Sequence, residues 1–236
     1  GKQVLTMNNW KKIWNKDDRI NQIMLECLIK ADGFDSGAGS FTLADWEKYT
    51  QDHFKRLGVN SSDTIYDVGC GSGAFVYSLY LQKHTVGGVD YSMSLINLAK
   101  TIMPSGNFSC DEAINISTSK SYDFILSHSV FHYFKDLEYA KSVLVKMIQK
   151  SNKKIGIFDI NDKVKESQYH QIRMNDINKK EYKEKYSGLE HLFYEKSWFK
   201  GIAREFHLKI SIFDQTFKNY SNSSLRFNVI MEKIDD

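Results

Sequence analysis

The chain has 236 residues, 42% hydrophobic and 26% charged, which suits one globular α/β domain with room for a modest cap and excludes disorder. Its 32 basic and 29 acidic side chains leave a formal charge of +3, too small an excess for a typical nucleic-acid binder. No apolar run nears the roughly 18 residues of a membrane span and no signal peptide is read, so no membrane partner and a cytoplasmic location are expected.

Residues 1–6 precede Met7 and read as added residues or as the edge of a domain cut from a longer polypeptide. From Trp10 to about Lys30, Trp10, Ile13, Trp14, Ile20, Ile23, Met24, Cys27 and Leu28 recur at helical spacing and predict one or two amphipathic helices. The turn formers of 32–40 predict a loop. Thr42 with Asp45 forms a capping-box pattern for a helix that runs to about Leu57 and stops at Gly58.

The period then changes. Strands are predicted at 64–68, 86–90, 107–110, 123–127 and 154–159, with helices at about 74–82, 94–102 and 137–150 between them. Such alternation argues for a parallel, doubly wound sheet whose ligand sits at the carboxyl ends of the strands. The polar stretch 161–195 holds a predicted helix at 178–186, with Glu181 and Lys185 as a solvated pair. A helix near 196–206 precedes two β-rich runs, 208–217 and 225–233, which should pair as an antiparallel hairpin at the sheet edge.

The chemistry is carried by Asp67-Val68-Gly69-Cys70-Gly71-Ser72-Gly73, between the first strand and its helix. A glycine loop alone is a weak signal, and this one also satisfies the loose dinucleotide fingerprint. Asp67 discriminates, because a carboxylate there repels a pyrophosphate and holds a cation. S-adenosylmethionine, with an ammonium and a sulfonium, fits better than a nicotinamide dinucleotide. Asp90 ends the second strand, where a carboxylate can take both ribose hydroxyls. Tyr91 and Met93 can sandwich the adenine. Asp111 ends the third strand and can accept from the adenine amino group, with Glu112 or Ala113 adding backbone contacts. Each acid alone can be a helix N-cap, but three in register with a glycine loop are hard to explain that way.

These residues resemble the class I S-adenosylmethionine-dependent methyltransferases over about Thr64 to Phe158. Asp67-x-Gly69-Cys70-Gly71-x-Gly73 resembles that family's first motif and Val89-Asp90-Tyr91-Ser92 its second. The segment 123–133 resembles the strand that lines both cofactor and substrate. The resemblance implies a Rossmann-like, mostly parallel seven-stranded sheet, closed by the antiparallel hairpin and covered by a helical N-terminal cap or lid. It divides the chain into a cap over 1–60 and a core over 61–236, with a cap insertion at about 161–195. It also implies cofactor contacts from Ser127 and His128. More narrowly, the runs 186–194 and 222–229 are similar to small-molecule methyltransferases of natural-product pathways, some of them polyketide-synthase domains that methylate hydroxyls.

An alcohol acceptor needs a general base, and histidine is the usual choice near neutral pH. Among seven histidines, His53, His84, His170 and His207 read as surface residues. His132 lies in a segment resembling a catalytic histidine segment, and His191 sits in the cap among apolar neighbours. Both are base candidates, and for both a satisfied core histidine is the competing reading. Glu190 can orient His191 or simply face solvent. The aromatic N-terminal segment, Trp10 to Tyr49, is expected both to cap the core and to cover the ligand, with Phe34 to Tyr49 nearest to it.

Cys27, Cys70 and Cys110 lie far apart, so neither a disulfide nor a zinc site is expected, and no other metal motif appears. The leading reading is methyl transfer to a hydroxyl of a small molecule or of an intermediate tethered to an acyl carrier protein. A small-molecule N-methyltransferase is the runner-up. RNA methylation is disfavoured, since the base-modifying motif after strand four needs two prolines and Pro104 is the only one. A non-catalytic cofactor-binding subunit is disfavoured by the intact glycine and acid set.

Overall fold

The computed structural model describes residues 18–34, 40–176 and 191–235. Helix α1 (Asp18–Ala31) buries Leu25, Leu28 and Ile29. Helix α2 (Leu43–Leu57) starts at the predicted capping box, where Thr42 Oγ1 accepts from the Asp45 N–H and the Asp45 carboxylate accepts from the Thr42 N–H. It stops at Gly58, whose φ of 76° is left-handed and whose N–H caps the last turn.

Strand β1 (Ile65–Val68), helix α3 (Tyr77–Leu81), β2 (Val86–Asp90), α4 (Met93–Ile102), β3 (Asn107–Cys110) and β4 (Tyr122–His128) follow in alternation. Then come α5 (Leu137–Lys150), β5 (Ser151–Asn161), α6 (Glu166–Asp176), α7 (Lys196–Glu205), β6 (Leu208–Asp214) and β7 (Arg226–Lys233). The seven strands form one sheet in the order β3-β2-β1-β4-β5-β7-β6. The first five are parallel, while β7 pairs antiparallel with both β5 and β6. The closing hairpin thus inserts its second strand against β5 and leaves β6 at the edge.

Side chains alternate between two cores, as a strand's two-residue period requires. Ile65, Phe124 and Leu126 pack under α1 to α4, with Trp46, Phe54, Leu57 and Ile96. Tyr66, Ile125, Ile155 and Ile157 pack against α5 and α7, with Val143, Leu144, Phe199 and Ile202. Strand order reverses between β1 and β4, so the crevice beyond their carboxyl ends opens there.

Several boundaries differ from the expectations. Residues 74–76 are turns rather than helix, and β5 runs from Ser151 to Asn161 because β4 pairs with its first residue and β7 with its last two, beyond the predicted strand. The polar stretch contains α6, earlier than the predicted helix at 178–186, which lies outside the described residues together with Trp10, Ile13, Trp14 and Glu190. His53 and His84 are buried, not surface residues. His53 shares the inward stripe of α2 with Trp46, Tyr49 and Thr50, and its Nδ1 lies 2.7 Å from the Tyr49 carbonyl. His84 Nδ1 is 2.8 Å from the Asp63 carbonyl, a partner the sequence spacing does not reveal. His170 and His207 are on the surface, as expected.

Candidate active site

The loop leaving β1 is folded by its own backbone. The N–H groups of Gly69 and Cys70 both donate to the Val89 carbonyl of β2, at 2.8 and 2.9 Å. Gly71 has φ of 54°, and a Cβ there would stand 2.5 Å from Asp32 Oδ1, so any larger residue meets both strain and a clash. Asp32, just beyond α1, reaches into the loop, where its Oδ1 accepts from the Ser72 N–H at 2.7 Å. Ser72 Oγ donates back to the Leu28 carbonyl, which ties the N-terminal helix to the loop.

Asp90 ends β2, with one oxygen accepting from the Gly71 N–H and the other from the Ser92 N–H, both at 3.0 Å. Asp67 is 2% exposed, and its Oδ1 has no partner. Burial, then the nearby Asp32 and Asp90, hold the Asp67 carboxyl well above the usual range. Burial is also the main cause that pushes Asp32 up to about 7, against the hydrogen bonds from Ser72, with Asp90 adding to the rise. Three acids thus converge on one glycine loop, and their repulsion is relieved by a cation placed among them.

These residues line a cavity of about 690 Å³, within the range of small-molecule and cofactor sites. Of the predicted cofactor residues, Asp67, Gly69, Cys70, Gly71, Asp90, Tyr91, Asp111, Glu112, Ala113 and His128 line it. Asp111 accepts from the Asn115 amide and then the Glu112 N–H, which hold its carboxyl below the usual range. Met93 does not line the cavity and is exposed on the first turn of α4, where Leu95 faces the cavity instead. Ser127 is fully buried and does not line the cavity, and its hydroxyl donates to the Val68 carbonyl.

Sequence reasoning missed Asp32, Lys135 and Tyr139 as lining residues, and read Phe75, Val130 and Tyr133 only as parts of longer segments. The turn-rich run 32–40 offered a signal for Asp32, as an acid in a loop beside the first helix. Among the described residues, no group of three or more His, Cys, Asp or Glu side chains is arranged to hold a metal ion. No helix among them is long and apolar enough to cross a membrane.

His132 and His191 come together, with ring centroids 5.2 Å apart, but neither lines the cavity. Tyr133 stands between: it lines the cavity, and its ring lies 4.1 Å from that of His132 and 5.2 Å from that of His191. His132 sits in a short 3-10 turn, is buried, and has no partner at Nδ1. Burial, then the Arg226 charge, hold it well below its ordinary value, so the ring is neutral. His191 is half-buried with Nδ1 2.9 Å from the Tyr169 hydroxyl, and burial followed by Arg226 and Arg173 lowers it to about 4.

Behind them Asp159 and Arg226 form a buried ion pair at 2.8 Å. Burial opposes the charge of Asp159, but Arg226, His128 and His132 outweigh it and bring the carboxyl down to about 2. Tyr220 and Gln215 also donate to this carboxylate. His128, at the end of β4, faces the cavity and connects to this network through Tyr49, whose hydroxyl lies 2.8 Å from Nε2.

Comparison with known proteins places this arrangement. A malonyl-[acyl-carrier protein] O-methyltransferase of Bacillus anthracis is 31% identical over 88 residues, covering 36% of this chain and 33% of the relative. The match thus spans about a third of that relative's length. Among solved structures, the plantazolicin methyltransferase BpumL, in complex with a pentazolic desmethylPZN analog and SAH, superposes with a TM-score of 0.59 at 20% identity. That alignment covers 98% of this chain and 100% of the other. The N-methyltransferase NodS from Bradyrhizobium japonicum WM9 superposes with a TM-score of 0.56 at 13% identity, covering 80% of this chain and 97% of the other. At these identities the two structures share the fold. A family profile described as a methyltransferase domain matches residues 59–210, more than half of the chain. The chain belongs to that methyltransferase domain family.

Proposed function

We propose that the cavity binds S-adenosylmethionine and that the chain transfers its methyl group to a hydroxyl of a small-molecule or carrier-bound acceptor. The observation that carries the cofactor assignment is the buried Asp67 carboxyl, with Oδ1 unpartnered, beside Asp32 and Asp90. An anionic cradle without an internal counter-charge fits a ligand bearing an ammonium and a sulfonium, and it opposes a diphosphate.

In this reading Asp67 and the Gly69-Cys70-Gly71 backbone hold the amino-acid end of the ligand. Asp90 retains free lone pairs beside its two backbone bonds and takes the ribose hydroxyls. Tyr91, Asp111, Glu112 and Ala113 border the adenine. When bound, S-adenosylmethionine supplies an electrophilic methyl on a sulfonium whose charge is lost as the methyl leaves. The cavity wall of Phe34, Phe75, Val130 and Phe134 excludes water from that region. His132, neutral and uncommitted at Nδ1, is the candidate to take the acceptor's proton, with His191 packed against it behind Tyr133 as the second.

The Bacillus anthracis relative, named as an O-methyltransferase of a carrier-bound malonyl group, supports oxygen and a carrier-tethered acceptor. Methyl transfer to nitrogen is the second reading. It is favoured by the position of both histidines behind Tyr133, because an unprotonated amine needs no base. Calorimetry with S-adenosylmethionine, S-adenosylhomocysteine and NAD tests the cofactor. Transfer of labelled methyl to hydroxylated, carrier-bound and amine acceptors tests the acceptor. Tight NAD binding without S-adenosylhomocysteine binding would overturn the cofactor assignment, and methylation confined to amines would overturn oxygen.

A further inference from the structure

We infer that Tyr49 is a positioning residue that fixes the His128 imidazole as its Nδ1–H tautomer, so that His128 meets the bound ligand as a hydrogen-bond donor. The identity of that ligand rests on the cofactor assignment above, whereas the tautomer does not.

The chain of donors and acceptors starts at Asp159. The pairing of β5 with β7 shifts register between Ile157 and Ile160, and Asp159 takes a left-handed φ of 62° there. This irregularity belongs to a buried site where the Asp159 carboxylate meets Arg226. Two groups of Asp159 have only one possible polarity: its N–H donates, and its carboxylate, ionised beside Arg226, accepts. The N–H donates to Asn228 Oδ1 at 2.8 Å, which turns the Asn228 amide nitrogen away, and Nδ2 donates to Gln215 Oε1 at 3.2 Å. Independently, the carboxylate accepts from Gln215 Nε2 at 3.1 Å. Both ends therefore agree on the orientation of Gln215.

Gln215 Nε2 spends its other proton on the Tyr49 hydroxyl at 2.9 Å. The phenol oxygen thus accepts, and its single proton has His128 Nε2 at 2.8 Å to receive it. Protonating Nε2 instead would leave the buried phenol proton without an acceptor, which is costly in a dry interior. Burial followed by the Asp159 charge keeps the Tyr49 phenol protonated, and burial lowers His128 to about 3, so the ring stays neutral. With Nε2 accepting, the neutral ring carries its hydrogen on Nδ1.

The ring plane is held as firmly as its protons. Phe75 stacks on it at 4.4 Å with an interplanar angle of 17°, and Trp46 packs edge-on at 6.0 Å. His128 therefore presents a fixed donor at the cavity wall and does not serve as the general base. That role is left to a histidine whose lone pair is uncommitted.

The test is long-range proton–nitrogen NMR of ¹⁵N-histidine-labelled protein at neutral pH, with and without S-adenosylhomocysteine, the His128 signals being assigned by their loss in His128→Asn. The expected result is a protonated Nδ1 in the free protein and a shift of that resonance on binding. In Tyr49→Phe the Nε2–H form should appear and S-adenosylhomocysteine affinity fall about fivefold, within the worth of one hydrogen bond. The other histidine signals should be unchanged. A wild-type His128 protonated at Nε2 overturns the inference, as does a Tyr49→Phe chain with unchanged tautomer and affinity. S-adenosylhomocysteine binding that leaves Nδ1 unmoved overturns the donor contact and spares the cofactor assignment. Failure of S-adenosylhomocysteine to bind overturns the cofactor assignment, while the tautomer is still read in the free protein. The wild-type spectrum decides the tautomer alone, so misfolding of the variant does not shield the inference.

Discussion

Along the glycine loop Asp32 and Asp90 are held by backbone N–H groups, whereas behind Tyr133 the polar groups are held largely by side chains from distant segments. Gly71 and Ser92 donate to Asp90 from 19 and 2 residues away. Arg226 reaches Asp159 across 67 residues and Gln215 reaches Tyr49 across 166. The charge balance differs as well. The loop gathers three acids with one oxygen unpartnered, while the second region pairs its acid with a guanidinium and fills its lone pairs. An uncompensated site is built for a ligand that supplies the missing charge. A compensated one is built to hold neighbouring groups in place.

The largest effect expected is from breaking the compensated side. Arg226→Met leaves the fully buried Asp159 without its partner and should cost about 3–5 kcal/mol of stability in urea unfolding at pH 7. The sign with pH sharpens the point. In the wild type the Asp159 carboxyl lies at about 2, below its unfolded value of 3.8, so its contribution is present above pH 4 and lost as pH falls toward 2. In Arg226→Met the carboxyl should rise, so mild acid should stabilise the variant. A variant with the wild-type acid profile would show that the pair does not hold this charge.

Next comes the chemical step. His132→Ala should slow methyl transfer to a hydroxyl acceptor by about a hundredfold, the lower end of general-base effects, because Tyr133 stands between the ring and the cavity. S-adenosylhomocysteine affinity should not change. A loss of only a few-fold would favour the amine reading.

On the loop side, Asp67→Asn should act with opposite signs on two measurements. The free protein gains stability in thermal unfolding near neutral pH, since the Asp67 carboxyl, held well above its usual range, must take up a proton on folding and the neutral amide need not. S-adenosylmethionine binding weakens by about 1.5–3 kcal/mol in calorimetry, the worth of a hydrogen bond to a charged group. Equal destabilisation of both states would make Asp67 structural.

The same contrast explains what was legible in the sequence. The strands β2 and β3, the Asp67 to Gly73 loop and the acids at strand ends follow local rules of period, turn chemistry and spacing. The Asp159 network does not, because nothing local marks Asp159, Gln215 and Arg226 as partners. His53 lay within reach, for positions 46, 49, 50, 53 and 57 trace one helical stripe. Its flanking Asp52, Lys55 and Arg56 masked that period. Asp32 was hidden differently, since its role depends on α1 docking against a loop 40 residues away.

The smallest effect tests whether Asp32 belongs to the uncompensated side. Its carboxyl is raised from 3.8 to about 7, chiefly by burial, so between those values the folded protein binds more protons than the unfolded chain. The stability of the free protein should therefore fall as pH rises from about 4 to 7, a contribution that Asp32→Asn removes. A cation in the cradle favours the ionised carboxylate, so binding below about pH 7 must release a proton. S-adenosylmethionine affinity should then climb with pH by up to about tenfold per unit, and level off above about pH 7. The half-buried position of Asp32 and its bond from the Ser72 N–H will blunt that slope, which is why it stands last. Calorimetry in buffers of different ionisation enthalpy, at pH 6 and pH 8, counts the released proton directly. Asp32→Asn should flatten the profile below about pH 7 and remove one proton from the count. A sloped profile that survives the substitution would move the titrating group to Asp67 or to the ligand's own amine.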